Sequence, residues 1–136
     1  LTQLKLQKAR KKGARGGAKQ FRSKRALIIN RLRAGQKIDV AAVVGGIKLR
    51  REQLTYKVDL VMNIYLRDLS GKMIQSWKEV ARFRRRLSFP PLRLRLEGPW
   101  RVPKGLRGVY LLQVEVLNRD TQQVSMRQRR MMIRTR

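Results

Sequence analysis

The sequence predicts a mainly β chain: a small antiparallel β-sandwich or barrel of six to seven strands, preceded by a basic N-terminal arm. From about residue 37 onward, apolar and polar residues alternate over several short segments, and turn-forming residues separate these segments. The 136-residue length suits a single domain, and 42% hydrophobic residues can supply its core. We therefore expect a basic arm at 1–35, disordered when free, and a β-sandwich domain at 36–136.

The arm is predicted from its charge. The first 25 residues hold ten cationic side chains and no acidic one. Residues 9–19 contain no aliphatic side chain larger than alanine, so we expect this stretch to be disordered in the free protein and to order against a partner.

Residues 21–33 allow two interpretations. A short helix would place Phe21, Arg25, Ile28 and Leu32 on one face, with Gly35 where a helix stop is expected. An extended segment leading into a strand is the alternative, because the pair Ile28-Ile29 also suits a strand.

The clearest strand lies at residues 56–67, where every second residue is apolar. Its predicted inward face carries Tyr56, Val58, Leu60, Met62, Ile64 and Leu66. The sequence Asp68-Leu-Ser-Gly71 reads as a turn, and residues 72–80 as the returning strand of a hairpin.

Further strands follow the same pattern. Residues 92–96 alternate leucine with arginine after Pro90-Pro91, which places them at a sheet edge or at a crossing between sheets. Residues 108–117 align alternate apolar side chains, 118–121 form a turn, and 124–133 return. Shorter strands are predicted at 39–44 and 46–50.

The stretch 56–133 resembles an immunoglobulin-like β-sandwich of the kind found in many bacterial proteins. The resemblance rests on the turn Asp68-Leu-Ser-Gly71, on Trp100-Arg-Val-Pro103 before a loop, and on Gly108-Val-Tyr-Leu-Leu112. The last segment is similar to the Gly-x-Tyr-x-Cys of the tyrosine corner, with Leu112 in place of the cysteine. The resemblance implies a sandwich fold but no particular function, because this fold serves adhesion, assembly and binding alike.

The residue types exclude several kinds of site. The chain has no cysteine and no histidine, and its eight acidic residues are scattered singly, so we expect no metal, no cofactor and no enzymatic activity. No apolar run approaches the roughly 18 to 20 residues of a membrane-spanning helix, and no signal peptide is visible. We expect a location inside the cell, or within a virion or ribonucleoprotein particle.

The net charge of +27 favours a polyanionic partner. Residues 26–136 alone hold 25 cationic and eight acidic side chains, so the predicted domain is itself basic. We expect a non-enzymatic structural protein that binds nucleic-acid backbone, RNA rather than DNA by analogy, beside neighbouring proteins in an assembly such as a ribosome. The basic arm is similar in composition to those of ribosomal and viral coat proteins. Two alternatives stay open: a capsid or nucleocapsid protein with a genome-binding arm, and an immunoglobulin-like interaction or envelope module that binds acidic partners.

The predicted nucleic-acid-binding residues are all cationic. In the arm they are Lys5, Lys8, Arg10, Lys11, Lys12, Arg15, Lys19, Arg22, Lys24 and Arg25. In the domain they are Arg82, Arg84, Arg85, Arg86, Arg93, Arg95, Arg127, Arg129 and Arg130.

Two groups of these arginines carry more specific expectations. In the run 82–86, Phe83 would either stack between guanidinium groups that bind phosphate or belong to the core. In the second case, the arginines would serve to block edge-to-edge aggregation of sheets. Arg93 and Arg95 should share a strand face, as should Arg127 and Arg129, and a cationic stripe would form if the two strands were neighbours. The large aromatic residues Trp77, Trp100 and Tyr110 are interpreted as packing residues.

Overall fold

A computed structural model describes residues 3–8, 30–47 and 49–135. These residues form nine strands and no helix. The strands are β1 (Gln3–Lys8), β2 (Asn30–Arg33), β3 (Lys37–Gly45), β4 (Arg50–Glu52), β5 (Thr55–Arg67), β6 (Met73–Leu87), β7 (Arg93–Arg101), β8 (Gly108–Asn118) and β9 (Val124–Arg134). The predicted mainly β class is confirmed.

The strands form two sheets. The first has the order β1-β3-β7, and the second the order β2-β9-β8-β5-β4, with β6 paired to β5. Strands β6 and β8 pair with overlapping parts of β5, so they lie along its opposite edges. In the described part of the chain β6 has no other strand partner, which makes it an edge strand.

One hydrophobic core lies between the sheets, as in a small β-sandwich or barrel. The core-facing residues predicted for β5 are confirmed, because its even-numbered residues 58–66 are almost fully buried; Asp59, Val61 and Asn63 between them are buried as well. The core also contains Ile38, Val40, Ala42 and Val44 of β3, Leu96 and Trp100 of β7, Leu112, Val114 and Val116 of β8, and Met131 and Ile133 of β9. The edge position predicted for residues 92–96 is confirmed, since β7 is the outer strand of its sheet.

The six or seven strands predicted for the domain are confirmed, because residues 36–136 hold the seven strands β3 to β9. Of the two interpretations of 21–33, the extended one holds at 30–33, where Leu32 is buried in the core and the backbone hydrogen-bonds to β9. Two details were wrong. β2 pairs with β9 in parallel rather than antiparallel fashion. The strand predicted at 46–50 is replaced by the short β4, since Gly46 turns the chain at φ +62° directly after β3.

Two segments of the predicted arm belong to the sheets. Strand β1 pairs with β3, and β2 with β9. The helix alternative for 21–29 and the disorder expected for 9–19 fall outside the described residues. The domain boundary at residue 35 stays a prediction.

Strand β6 is longer than expected and contains an irregularity. Between Met62 and Ile64 its pairing with β5 shifts, and Glu79 takes a φ of +50°. The buried Asn63 side chain supplies the hydrogen bond that the backbone lacks at this bulge, because its Oδ1 accepts from the Glu79 N–H (2.8 Å). Its Nδ2 donates to Glu115 (3.0 Å). Beyond the bulge β6 continues through the arginine run to Leu87.

The predicted turn at 68–71 is held by one carboxylate. Asp68 Oδ1 accepts hydrogen bonds from the Ser70 hydroxyl (2.6 Å), the Ser70 N–H (2.9 Å) and the Lys72 N–H (2.9 Å). The Ser70 hydroxyl, followed by the Lys72 amide, lowers the pKa of Asp68 below its ordinary value of 3.8.

This turn should therefore loosen only in strong acid. Because the folded pKa is depressed, the stabilisation is present at higher pH and is lost as the pH falls through the folded pKa, below 3.8. We expect the amide NMR shifts of Ser70 and Lys72 to titrate together in that range, and Asp68→Asn to abolish the titration. Titration of both amides above pH 3.8 would contradict this assignment.

Candidate nucleic-acid interface

The arginine run of β6 is divided between the two faces of its sheet. Residues directly opposite each other in a strand pair share a face. Arg84 lies opposite Asp59 and Arg86 opposite Lys57, both on the solvent face of β5. Arg85 lies opposite the core residue Val58, on the inner face, yet at this edge its side chain remains exposed.

Strand β7 brings two further arginines to the same edge of the molecule. Arg93 and Arg95 alternate with core-facing residues and share the solvent face of the first sheet, as predicted. β6 and β7 lie side by side: a Cβ at Gly98 would collide with the Val80 carbonyl oxygen, so only glycine allows this approach. We name Arg84, Arg85, Arg86, Arg93 and Arg95 the β6–β7 edge.

Only part of this charge is neutralised within the protein. Arg86 forms an ion pair with Glu52 (2.8 Å), and Arg95 with Glu97 (3.2 Å). Among the described residues, no carboxylate forms an ion pair with Arg84, Arg85 or Arg93. The β6–β7 edge therefore presents three uncompensated guanidinium groups to solvent.

Phe83 belongs to the packing of the sandwich rather than to an open stacking site. Its ring is half-buried against the core, opposite Leu60. The Arg85 guanidinium lies over this ring, 5.3 Å from its centroid, and is thereby held at the edge. Phe83 thus positions Arg85.

Arg82 has a different partner from the rest of the run. Its Nε and Nη2 donate to the two carboxylate oxygens of the buried Asp59, at 3.2 and 3.1 Å. The hydrogen bond to Asp59 raises the pKa of Arg82. This two-pronged pair occupies the donors that a phosphate would need.

We expect Arg82→Gln to destabilise the fold without weakening RNA binding. The substitution leaves the Asp59 carboxylate buried beside a neutral group, and unfolding should begin several degrees lower. The measurement is thermal unfolding together with an RNA titration, with Arg84→Gln as the matched control on the same strand face. A loss of affinity by Arg82→Gln greater than that by Arg84→Gln would refute the structural role.

The arginines of β9 do not join those of β7. β7 belongs to the first sheet and β9 to the second, so the stripe expected from their neighbourhood does not form. Arg127 and Arg129 lie opposite the core residues Val114 and Leu112, so they are on the inner face of β9. Burial lowers the pKa of Arg129, and the nearby charge of Arg127 lowers it further.

The structure brings the predicted residue Arg130 together with three arginines that the sequence did not single out. Arg31 and Arg33 of β2 lie opposite Met132 and Arg134 of β9, and Arg130 precedes Met132 by two residues on the same face. All four arginines are exposed, and no carboxylate of the described residues forms an ion pair with them. We name Arg31, Arg33, Arg130 and Arg134 the β2–β9 patch. The one sequence signal for this patch is the alternation of Arg31, Leu32 and Arg33, which predicts a strand with both arginines on one face. The helix interpretation of 21–33 does not use this alternation.

The arm residues can be placed only in part. Lys5 and Lys8 lie in β1, whose backbone pairs with β3. The other predicted arm residues are outside the described chain: Arg10, Lys11, Lys12, Arg15, Lys19, Arg22, Lys24 and Arg25. Their role stays a prediction.

The large aromatic residues pack as expected. Trp100 is 3% exposed and meets Trp77 edge to face, with ring centroids 5.3 Å apart. Tyr110 donates a hydrogen bond to the Arg107 carbonyl (3.2 Å), the kind of upstream backbone contact that a tyrosine corner makes.

Among the described residues, no group of three or more acidic side chains is placed to hold a metal ion. None of these residues forms a helix long and apolar enough to cross a membrane. No protein-family model and no curated protein matches the chain.

Proposed function

We propose that this chain is a non-enzymatic structural protein that binds the backbone of nucleic acid, RNA in particular, as a component of a ribonucleoprotein assembly. The β6–β7 edge is its contact surface in the folded domain. Guanidinium groups bind phosphate oxygens in a planar, two-pronged geometry, and each phosphate that they neutralise releases counterions into solution.

The observation that carries the proposal is the uncompensated charge, among the described residues, of three exposed arginines on two strands that lie side by side. Arg84, Arg85 and Arg93 are exposed, and Arg85 is held over Phe83. Blocking edge-to-edge pairing needs only one or two charges, and the ion-paired Arg86 and Arg95 already supply them. The three further arginines are accounted for by an anionic partner.

Backbone recognition fits this surface better than base recognition. The arginines come from strands and lie on an exposed edge, where the Phe83 ring is half-buried and covered by Arg85, whereas the Phe89 ring in the loop between β6 and β7 is exposed. Stacking of a base on Phe89 would be tolerant of sequence, because every base has a π-face, and major-groove reading needs an inserted helix or ribbon. We therefore expect affinity with little sequence preference.

Absorbance of the purified protein tests the proposal first. Protein isolated at low salt should carry excess absorbance at 260 nm, and ribonuclease should remove it. Deoxyribonuclease is the matched control and should leave most of the excess. Protein that purifies without nucleic acid and fails to bind added RNA would instead favour the immunoglobulin-like module that binds acidic proteins or lipids.

A further inference from the structure

The β2–β9 patch is assembled by the parallel pairing of two segments that are about one hundred residues apart. In this register Arg33 lies directly opposite Arg134. Like charges at directly opposite positions destabilise a strand pair. The fold places them there without a described carboxylate in ion-pair contact, so an anion from outside the chain would relieve the repulsion.

The patch and the β6–β7 edge lie on opposite sides of the second sheet. β5, β8 and β9 separate β6 from β2, which places the two edge strands about 19 Å apart at ordinary strand spacing. The surfaces also lie toward opposite ends of the strands, since Arg84 pairs near the start of β5 and Arg134 lies at the end of β9.

The solvent face between the two surfaces is unsuited to a polyanion. Two of its cations already have carboxylate partners: Lys57 pairs with Asp120 (3.6 Å), and Arg82 with Asp59 (3.1 Å). The Glu115 carboxylate lies in the middle of this face, where Tyr65 donates to it. One nucleic-acid strand that crossed from edge to edge would meet these carboxylates, whereas two separate segments would avoid them.

We infer that the β2–β9 patch is a second site for nucleic-acid backbone, so that one molecule bridges two separate RNA segments. The inference rests on the proposed function, because it takes the β6–β7 edge as the first site. Bridging two segments is what a protein that consolidates a folded RNA assembly does, and a single basic edge could not do it.

A retention assay tests the bridging. An RNA duplex is immobilised on beads, protein is bound at 50 mM salt, and the beads are washed and exposed to a second, fluorescently labelled duplex. We expect the wild type to retain the label. The triple variant Arg31→Gln, Arg33→Gln and Arg134→Gln should still bind the immobilised duplex but retain the label on the order of 10²-fold less, because three phosphate contacts are lost.

Two comparison variants distinguish an effect of these three arginine positions from an effect of net charge or of misfolding. Substituting Lys72, Lys78 and Arg127 by Gln removes three charges from exposed positions outside the patch and should leave retention unchanged. Replacing Arg31, Arg33 and Arg134 by Lys keeps the charge and should restore most of the retention, which a folding defect would not allow.

Failure of the second site and failure of the proposed function give different results in this assay. Label retention by the triple Gln variant equal to that of the wild type would overturn the second site, whether the second duplex were held by the segment 9–29 or by a second copy. A wild type that fails to bind even the immobilised duplex would overturn the proposed function, and this inference with it.

Discussion

RNA binding by this protein should weaken about 10³-fold when the salt concentration rises from 50 to 200 mM, if the chain neutralises roughly six phosphates. The expectation follows from the charge of +27 and from exposed arginines that lack a carboxylate partner in the described structure. The measurement is fluorescence anisotropy of a labelled RNA over a salt series, plotted as the logarithm of the affinity against the logarithm of the salt concentration.

The control for the salt series is a change of anion at constant ionic strength. Glutamate in place of chloride should preserve the steep slope, because release of cations from the RNA dominates the effect. A flat response would show that the interface is not electrostatic, and the backbone-binding proposal would fail.

The second large effect concerns the uncompensated arginines of the β6–β7 edge. Changing Arg84, Arg85 and Arg93 together to Gln should lower RNA affinity on the order of 10²-fold near 0.1 M salt and make the salt slope shallower by about 2 to 3. Thermal stability should change little or rise slightly, because these side chains are exposed and self-repulsion decreases. Anisotropy titration and thermal unfolding of the same preparations give both values.

The matched control is again Lys72, Lys78 and Arg127 changed to Gln. It lowers the net charge equally and should cost much less affinity, since these exposed side chains belong neither to the β6–β7 edge nor to the β2–β9 patch. Equal losses in the two triple variants would mean that only the net charge matters. An unchanged affinity at unchanged stability would identify Arg84, Arg85 and Arg93 as residues that merely prevent aggregation.

Local patterns were sufficient to predict much of the fold. The alternation in residues 56–66 predicted β5 and its buried face, and the sequence Asp68-Leu-Ser-Gly71 predicted a turn that its own carboxylate stabilises. Both features depend on residues that are neighbours along the chain. The arginine run 82–86 gave no such signal, and its place within β6 is set by pairing with β5.

Long-range pairing explains what the sequence could not show. The parallel match of β2 with β9 joins residues about one hundred positions apart, so neither strand reveals it locally. For the same reason, a composition-based list of arginines included Arg82, which pairs with Asp59, and omitted Arg31, Arg33 and Arg134. The net charge can be counted from the sequence, but which arginines form ion pairs with carboxylates depends on the tertiary structure.

Crosslinking tests most directly the central claim that the folded domain, through the β6–β7 edge, contacts RNA backbone. The full chain is bound to a photoreactive RNA, irradiated and digested, and the crosslinked peptides are identified by mass spectrometry. We expect crosslinks within residues 81–95 that disappear in the Arg84, Arg85 and Arg93 triple variant. Crosslinks confined to residues 9–29, or to the face around Tyr65 and Glu115, would contradict it.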